Sequence, residues 1–250
     1  MSMKRIGLII AMQSELEMVV PKLSGPIRDS SDGFDKFIGQ IGDAEIITCL
    51  SGIGKVNAAY IATMLITKYH PDIVISTGVA GSLDVKVKPS DIVIGNRVKY
   101  NDVWCGKPNA KGQIQGLPEW FPTAEVKTDS FSFCKVTRKY HTKKSLFCIH
   151  NAPIVSGDAF METVADKMKC LRASGYAKAV DMESGAIAQI CYLLKVPFLP
   201  IRVISDIVGS KGHQQNYDEF WKSLASRSFD VSMQIIKEYA VRQKKRIKNE

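Results

Sequence analysis

Short β-branched runs separated by helical patterns constrain this chain more than any other feature. Ile6 to Met12, Glu45 to Leu50, Ile73 to Thr77, Asp91 to Val98, Ala152 to Ser156, Ala179 to Met182 and Phe198 to Ser205 read as strands, and several are apolar on both faces. Strands buried under helices on both sides of a sheet have that pattern, whereas sandwich strands alternate apolar with polar residues. Helical periodicity occupies the intervals over Lys55 to Tyr69, Met161 to Ser174, Glu183 to Leu194 and Tyr217 to about Lys245. The fold class is therefore α/β. At 250 residues, with 45% hydrophobic and 24% charged side chains, the chain has globular composition and enough length for one large core. A single domain over residues 1–250 is expected.

The formal charge of +9 is partly local, because Arg242, Lys244, Lys245, Arg246 and Lys248 crowd a basic tail over about 242–250. A terminal charge run of this kind reads as a solvated helix end, so no nucleic-acid partner is assigned to it. Cys49, Cys105, Cys134, Cys148, Cys170 and Cys191 form no CxxC pair, and His70, His141, His150 and His213 do not fall at zinc-ligand spacings. No metal and no cofactor is implied. Cys49 and Cys191 lie in apolar runs, where free thiols act as small core residues, which points to a reducing, cytoplasmic setting. The start MSMKRIGLIIAM carries basic residues before a short apolar run, but Glu15 and Glu17 follow at once and no small-residue cleavage site appears. A signal peptide is not expected. No run approaches the roughly 18 consecutive apolar residues that a membrane helix needs, so no membrane partner is expected either.

In open α/β sheets, ligands bind beyond the carboxyl ends of strands. Those ends are chemically unusual here. The first presents Met12 and Glu15, the third Gly78-Val79-Ala80-Gly81, the next-to-last Met182-Glu183, and the last Arg202, Ser205 and Asp206. The clusters Ser51-Gly52-Ile53-Gly54-Lys55 and Thr77-Gly78-Val79-Ala80-Gly81 fit neither GxGxxG nor a Walker A loop, and a tight turn without a ligand explains each as well as a binding role does. Glu183 equally suits a helix first turn, Asp206 an N-cap or turn, and Glu15 an ordinary solvent-facing position at the start of a short helix. Structural carboxylates outnumber catalytic ones, so spacing alone leaves these roles open. The loop from Trp104 to Thr128 is too long for a simple connector and has the length of a lid or binding loop.

Six ordered motifs carry a more specific signal. They are Gly7-Leu8-Ile9-Ile10-Ala11-Met12 with Glu15, Ser51-Gly52-Ile53-Gly54-Lys55-Val56, Ser156-Gly157-Asp158-Ala159-Phe160, Val180-Asp181-Met182-Glu183 running to Ala188, Arg202-Val203-Ile204-Ser205-Asp206, and Tyr217-Asp218-Glu219-Phe220. Over about Lys4 to Val241 the chain resembles the methylthioadenosine/S-adenosylhomocysteine nucleosidases, a branch of the purine-nucleoside and uridine phosphorylase family. The resemblance implies a three-layer α/β/α sandwich around a mixed, partly barrel-like sheet. It also implies a homodimer in which a partner residue reaches into each site, and a small adenine nucleoside as substrate. By the same likeness, Asp206 protonates N7 of adenine with Ser205 holding it, Glu15 activates water with Arg202 nearby, and Glu183 with Met182 holds the ribose. Backbone around Phe160 and Met161 reads the adenine edge, while Tyr217 and the Trp104 to Phe121 loop border the 5′-thioalkyl group. Met12, Ile53, Val79, Ala80 and Gly81 complete the implied pocket.

The chemistry explains why such groups are needed. Adenine leaves poorly as an anion, so a general acid at the purine contributes about 10²–10⁴ in rate, and that acid must keep its proton although a free Asp has a pKa of about 3.9. The ribose turns cationic as the bond stretches, which calls for an ionised carboxylate that also takes a proton from water. A phosphorylase of the same fold is the alternative, but Ser76-Thr77-Gly78-Val79 offers no cation for phosphate. Relative to the nucleosidases the chain departs at Val79, Asn101 and Asp181, where that family often has a small hydroxyl residue, a histidine and a glutamate.

Overall fold

The computed structural model describes residues 5–31, 33–126 and 147–247. Cys134 and His141, Lys4, Thr128, and the tail end with Lys248 lie outside the described residues. The strands are β1 (Arg5–Ile10), β2 (Ser24–Asp29), β3 (Lys36–Ile41), β4 (Ala44–Leu50), β5 (Ile73–Ser82), β6 (Ile92–Tyr100), β7 (Phe121–Pro122), β8 (Ile149–Ser156), β9 (Ala179–Asp181) and β10 (Phe198–Ile207). The helices are α1 (Gln13–Val19), α2 (Lys55–Tyr69), α3 (Val164–Ser174), α4 (Ser184–Leu193), α5 (His213–Glu219) and α6 (Ala225–Ile247). All the strands belong to one mixed sheet.

Two parts of that sheet differ in shape. β5, β10, β6, β8 and β9 pair in a closed ring, with β5 joined to β10 in parallel and to β9 antiparallel. From β5 the sheet continues outward through β1, β4, β3 and β2. A cluster of Ala80, Val93, Ala152, Ile154, Ala179 and Ile204 draws on every strand of the ring, with the small and medium side chains that a narrow barrel admits.

Helices cover both faces, which is why the strands carry apolar residues at odd and even positions alike. Ile6, Leu8 and Ile10 pack with Leu16 and Val19 of α1 and with Phe229, Met233 and Ile236 of α6. Ile9, Ile47, Cys49 and Val74 face Ala58, Ile61 and Leu65 of α2 and Ile187 and Cys191 of α4. Each such buried aliphatic contributes about 1.5–3 kcal/mol, so truncating Leu65 to alanine costs about 2–5 kcal/mol. The result is the three-layer α/β/α arrangement with a mixed, partly closed sheet.

Several boundaries move from their sequence expectation, each for a physical reason. β5 does not stop at Thr77 but runs through the glycine cluster to Ser82, because β10 pairs with it along that whole length. β10 likewise extends past Ser205, so Asp206 lies within a strand and is no N-cap. α3 begins at Val164 because Thr163 caps it, its side chain accepting the Asp166 N–H at 3.1 Å. The expected last helix starts earlier, at His213, and is interrupted by a π-helical turn at Phe220–Leu224 that buries Phe220. The β2–β3 hairpin had no strong sequence signal, since β2 is an exposed edge strand containing Gly25 and Pro26.

Candidate active site

The carboxyl ends of β1, β5, β9 and β10 open onto one cavity of about 670 Å³, its mouth and open solvent included. Glu15, Glu183 and Asp206 all line it. Their surroundings are not equivalent.

Glu15 sits in the first turn of α1 and is 2% exposed. Its Oε2 accepts the Met12 N–H at 3.0 Å and its Oε1 accepts the Val79 N–H at 2.8 Å. A Cβ on residue 78 would lie 2.8 Å from Oε1, so glycine is required for the strand to approach this closely. Burial raises the Glu15 pKa, while the Val79, Met12 and Ala11 N–H groups and the Arg202 charge pull it down. The residue is not solvent-facing.

Asp206 is 2% exposed, and its Oδ1 accepts the Ser205 hydroxyl at 2.5 Å. The pairing of β10 with β5 shifts register between Ile204 and Asp206, and irregularities of this kind re-aim a side chain. A Cβ on residue 81 would meet Val208 Cγ2 at 2.8 Å and Asp206 Oδ2 at 3.3 Å. The second glycine of the cluster thus makes room for a second carboxylate.

Glu183 occupies the N-cap position of α4 without capping it. Its Oε1 instead accepts the Gly54 N–H at the start of α2, at 2.9 Å. The free N–H of the α4 first turn is taken by its neighbour, Ser184 N donating to Asp181 Oδ1 at 3.1 Å. Burial, reinforced by the Asp181 charge, pushes the Glu183 pKa up to about 7 against the Gly54 hydrogen bond and Arg202.

Arg202 does not project into the main cavity. It is 3% exposed and lines a smaller chamber of about 240 Å³ behind Glu15, together with Ser76 and Gly78. The remaining expected residues do converge. Met12, Ile53 and Val79 line the main cavity with Ala80 and Gly81. Phe160, Met161 and Met182 line it with Ser205 and Tyr217, and the rings of Phe160 and Tyr217 meet edge to face at 5.9 Å.

The Trp104 to Phe121 loop is the exception, because none of its residues lines the cavity. Its end is held elsewhere: Trp120 packs on Arg97 and Tyr176, with the guanidinium 4.8 Å from the indole centroid. Asn101 also stays out of the cavity and donates to Cys170 Sγ at 3.2 Å. Ala11, Ala159, Val180, Asp181 and Val208 also line the cavity; the first four lie within the quoted motifs, and Val208 lies just past the Arg202 to Asp206 motif. A supporting cluster was also missed. Lys55 N–H donates to Asp158 Oδ1 at 2.7 Å, Lys55 Nζ to Asp102 Oδ2 at 2.8 Å, and Asp158 N–H to the same oxygen at 2.9 Å. It ties the Ser51 to Val56 motif to the Ser156 to Phe160 motif.

A sheet closed into a ring, with carboxylates from its strand ends around one apolar-walled cavity, defines a member of the phosphorylase superfamily, whose sequence model matches residues 5–237. The chain is 34% identical over 235 residues to the 5′-methylthioadenosine/S-adenosylhomocysteine nucleosidase of Maridesulfovibrio salexigens, covering 94% of this chain and 99% of that one. Within the superfamily it belongs to the methylthioadenosine/S-adenosylhomocysteine nucleosidase family. Its fold superposes on the Neisseria meningitidis nucleosidase in complex with methylthio-immucillin-A, with a TM-score of 0.82 at 30% identity over 94% of this chain and 99% of that chain. The Colwellia psychrerythraea nucleosidase in complex with adenine gives a TM-score of 0.80 at 30% identity, over 94% and 95% of the two chains.

Proposed function

We propose that this protein hydrolyses the N-glycosidic bond of 5′-methylthioadenosine, S-adenosylhomocysteine or a closely related adenine nucleoside, releasing adenine and a thioribose, as a step of methionine salvage. The observation that carries the reading is that Glu15, Glu183 and Asp206 surround one cavity in three different electrostatic settings. Asp206 is the acid that protonates the purine, oriented by Ser205. Glu15, fixed by two backbone N–H groups, stabilises the oxocarbenium-like ribose and takes a proton from water. Its raised pKa brings it nearer neutrality, where a base is most effective. Glu183 with Met182 holds the ribose hydroxyls, and Arg202 supports the water site from behind Glu15. The apolar walls from Met12, Ile53, Val79, Phe160, Met161 and Tyr217 exclude bulk water.

Hydrolysis is favoured over phosphorolysis by charge. Arg202 is the cationic side chain among the described residues lining either chamber, and it is already paired with Asp181 at 2.6 Å. A phosphate dianion would meet Glu15 and Glu183 without a free cation. Incubation with methylthioadenosine in phosphate-free buffer checks this: adenine and free methylthioribose are expected. Strict dependence on added phosphate, with a sugar 1-phosphate as product, would refute it.

The homodimer and the cytoplasmic setting belong to the same reading. Val56 and Tyr60, 80% and 54% exposed, stand about one turn apart at the start of α2, shortly after Ile53 of the cavity lining, and a second copy would cover them. Cys170 and Cys191 are free thiols and buried, in keeping with a reducing compartment. One domain over residues 1–250 completes the proposal.

A further inference from the structure

The charge of Arg202 acts on both Glu15 and Glu183, yet its hydrogen bonds go to other groups. Its Nε donates to Asp181 Oδ2 at 2.6 Å, Nη2 to Ser184 Oγ at 2.8 Å and Nη1 to the Ile201 carbonyl at 3.1 Å. Ser184 Oγ donates in turn to Asp181 Oδ2, and Ser184 N–H to Oδ1 at 3.1 Å. The Arg202 and Asp181 side chains are 3% and 2% exposed. In so dry a setting, removing either partner strands the charge of the other, so the ring of contacts is rigid. Asp181 also lines the main cavity. It is therefore both the anchor of Arg202 and a wall of the space beside Glu183.

We propose that Asp181, with Ser184 closing the ring, is a positioning residue that holds Arg202 in a neutral pair behind the site, so that a ribose diol meets Glu183 beside a carboxylate instead of a free cation. This rests on the reading of Glu183 as the ribose holder. The charges facing Glu183 are Asp181 from β9, Arg202 from β10 and Glu15 from α1, with the Gly54 N–H from the start of α2; Asp206 of β10 lines the same cavity. Burial and then the Asp181 charge, with a smaller push from Glu15, outweigh the Gly54 N–H and the Asp181-paired Arg202, so Glu183 ionises only near neutrality, and ionisation is what lets its oxygens accept both ribose hydroxyls. The nucleoside binds more tightly as pH rises, whereas adenine alone, which lacks the diol, does not.

The test is calorimetric titration of a non-hydrolysable 5′-methylthio adenine nucleoside analogue, and separately of adenine, from pH 5.5 to 8.5. With a midpoint near 7, the nucleoside affinity of the wild type is expected to rise about tenfold between pH 6 and pH 8, and that of adenine less than about twofold. In Asp181→Asn the freed Arg202 favours ionised Glu183, so the nucleoside profile moves to lower pH and the rise over the same interval shrinks below about threefold. Asp181→Glu, which keeps the charge, retains the wild-type midpoint. Glu183→Gln binds the nucleoside weakly at every pH. An unshifted profile in Asp181→Asn, or a flat one in the wild type, overturns the proposal while a weak Glu183→Gln leaves the ribose reading intact. Unchanged nucleoside affinity in Glu183→Gln overturns the ribose reading itself.

Discussion

Asp206 and Glu183 are both buried carboxylates, and they differ in what touches them. Ser205 holds one oxygen of Asp206 at 2.5 Å, an orientation that suits a proton donor. On the proposed reading Asp206→Asn keeps the shape and removes the proton donated to adenine, so kcat should fall by about 10²–10⁴ with KM little changed. Steady-state adenine release measures it, and an active Asn variant would exclude Asp206 as the acid. For Glu183 the consequence is one of stability. Its pKa rises from 4.5 to about 7 on folding, so between those values the folded state binds more protons than the unfolded one, and the protein loses stability as pH rises through that window. Glu183→Gln removes that loss. Thermal denaturation without ligand should show the variant gaining on the wild type from pH 5 to pH 8, at about 2–4 °C per kcal/mol; parallel curves would contradict the assignment. The identity of these residues was readable from the motifs. Their unequal environments were not, because burial and the Gly54 N–H donor to Glu183 come from segments distant in sequence.

β5 shows the same division between elements. Its first half was legible as a strand from Ile73 to Thr77, but Gly78 to Gly81 looked like a turn because glycine is scarce in strands. The pairing with β10 keeps the strand extended, and the glycines serve the space above it. Gly78→Ala would place a methyl 2.8 Å from Glu15 Oε1, pushing that carboxylate off its N–H donors. A drop of at least about tenfold in kcat is expected, with circular dichroism unchanged; full activity would mean that the position of Glu15 does not matter. The last helical segment teaches a related lesson. Continuous periodicity from Tyr217 onward concealed the π-helical turn at Phe220–Leu224, which a helix tolerates when the added residue lets Phe220 enter the core and Tyr217 reach the cavity.

For the molecule as a whole, the exposed apolar residues of α2 lie next to the site. Replacing Val56 and Tyr60 together by glutamate should yield a monomer by sedimentation equilibrium, because two buried like charges per copy oppose self-association. If the assembled species persists, that face is not the contact. The composition, the doubly apolar strand runs and the ordered motifs determined the α/β class and the family and nominated the three carboxylates, since hydrophobic period and residue type are local properties of a sequence. Only the tertiary structure decided which five strands close the sheet into a ring, that the Trp104 to Phe121 loop stays out of the cavity, and that Arg202 is bound to Asp181 behind Glu15. Those outcomes depend on contacts between residues far apart in the chain, and on how much water each charge loses when they meet.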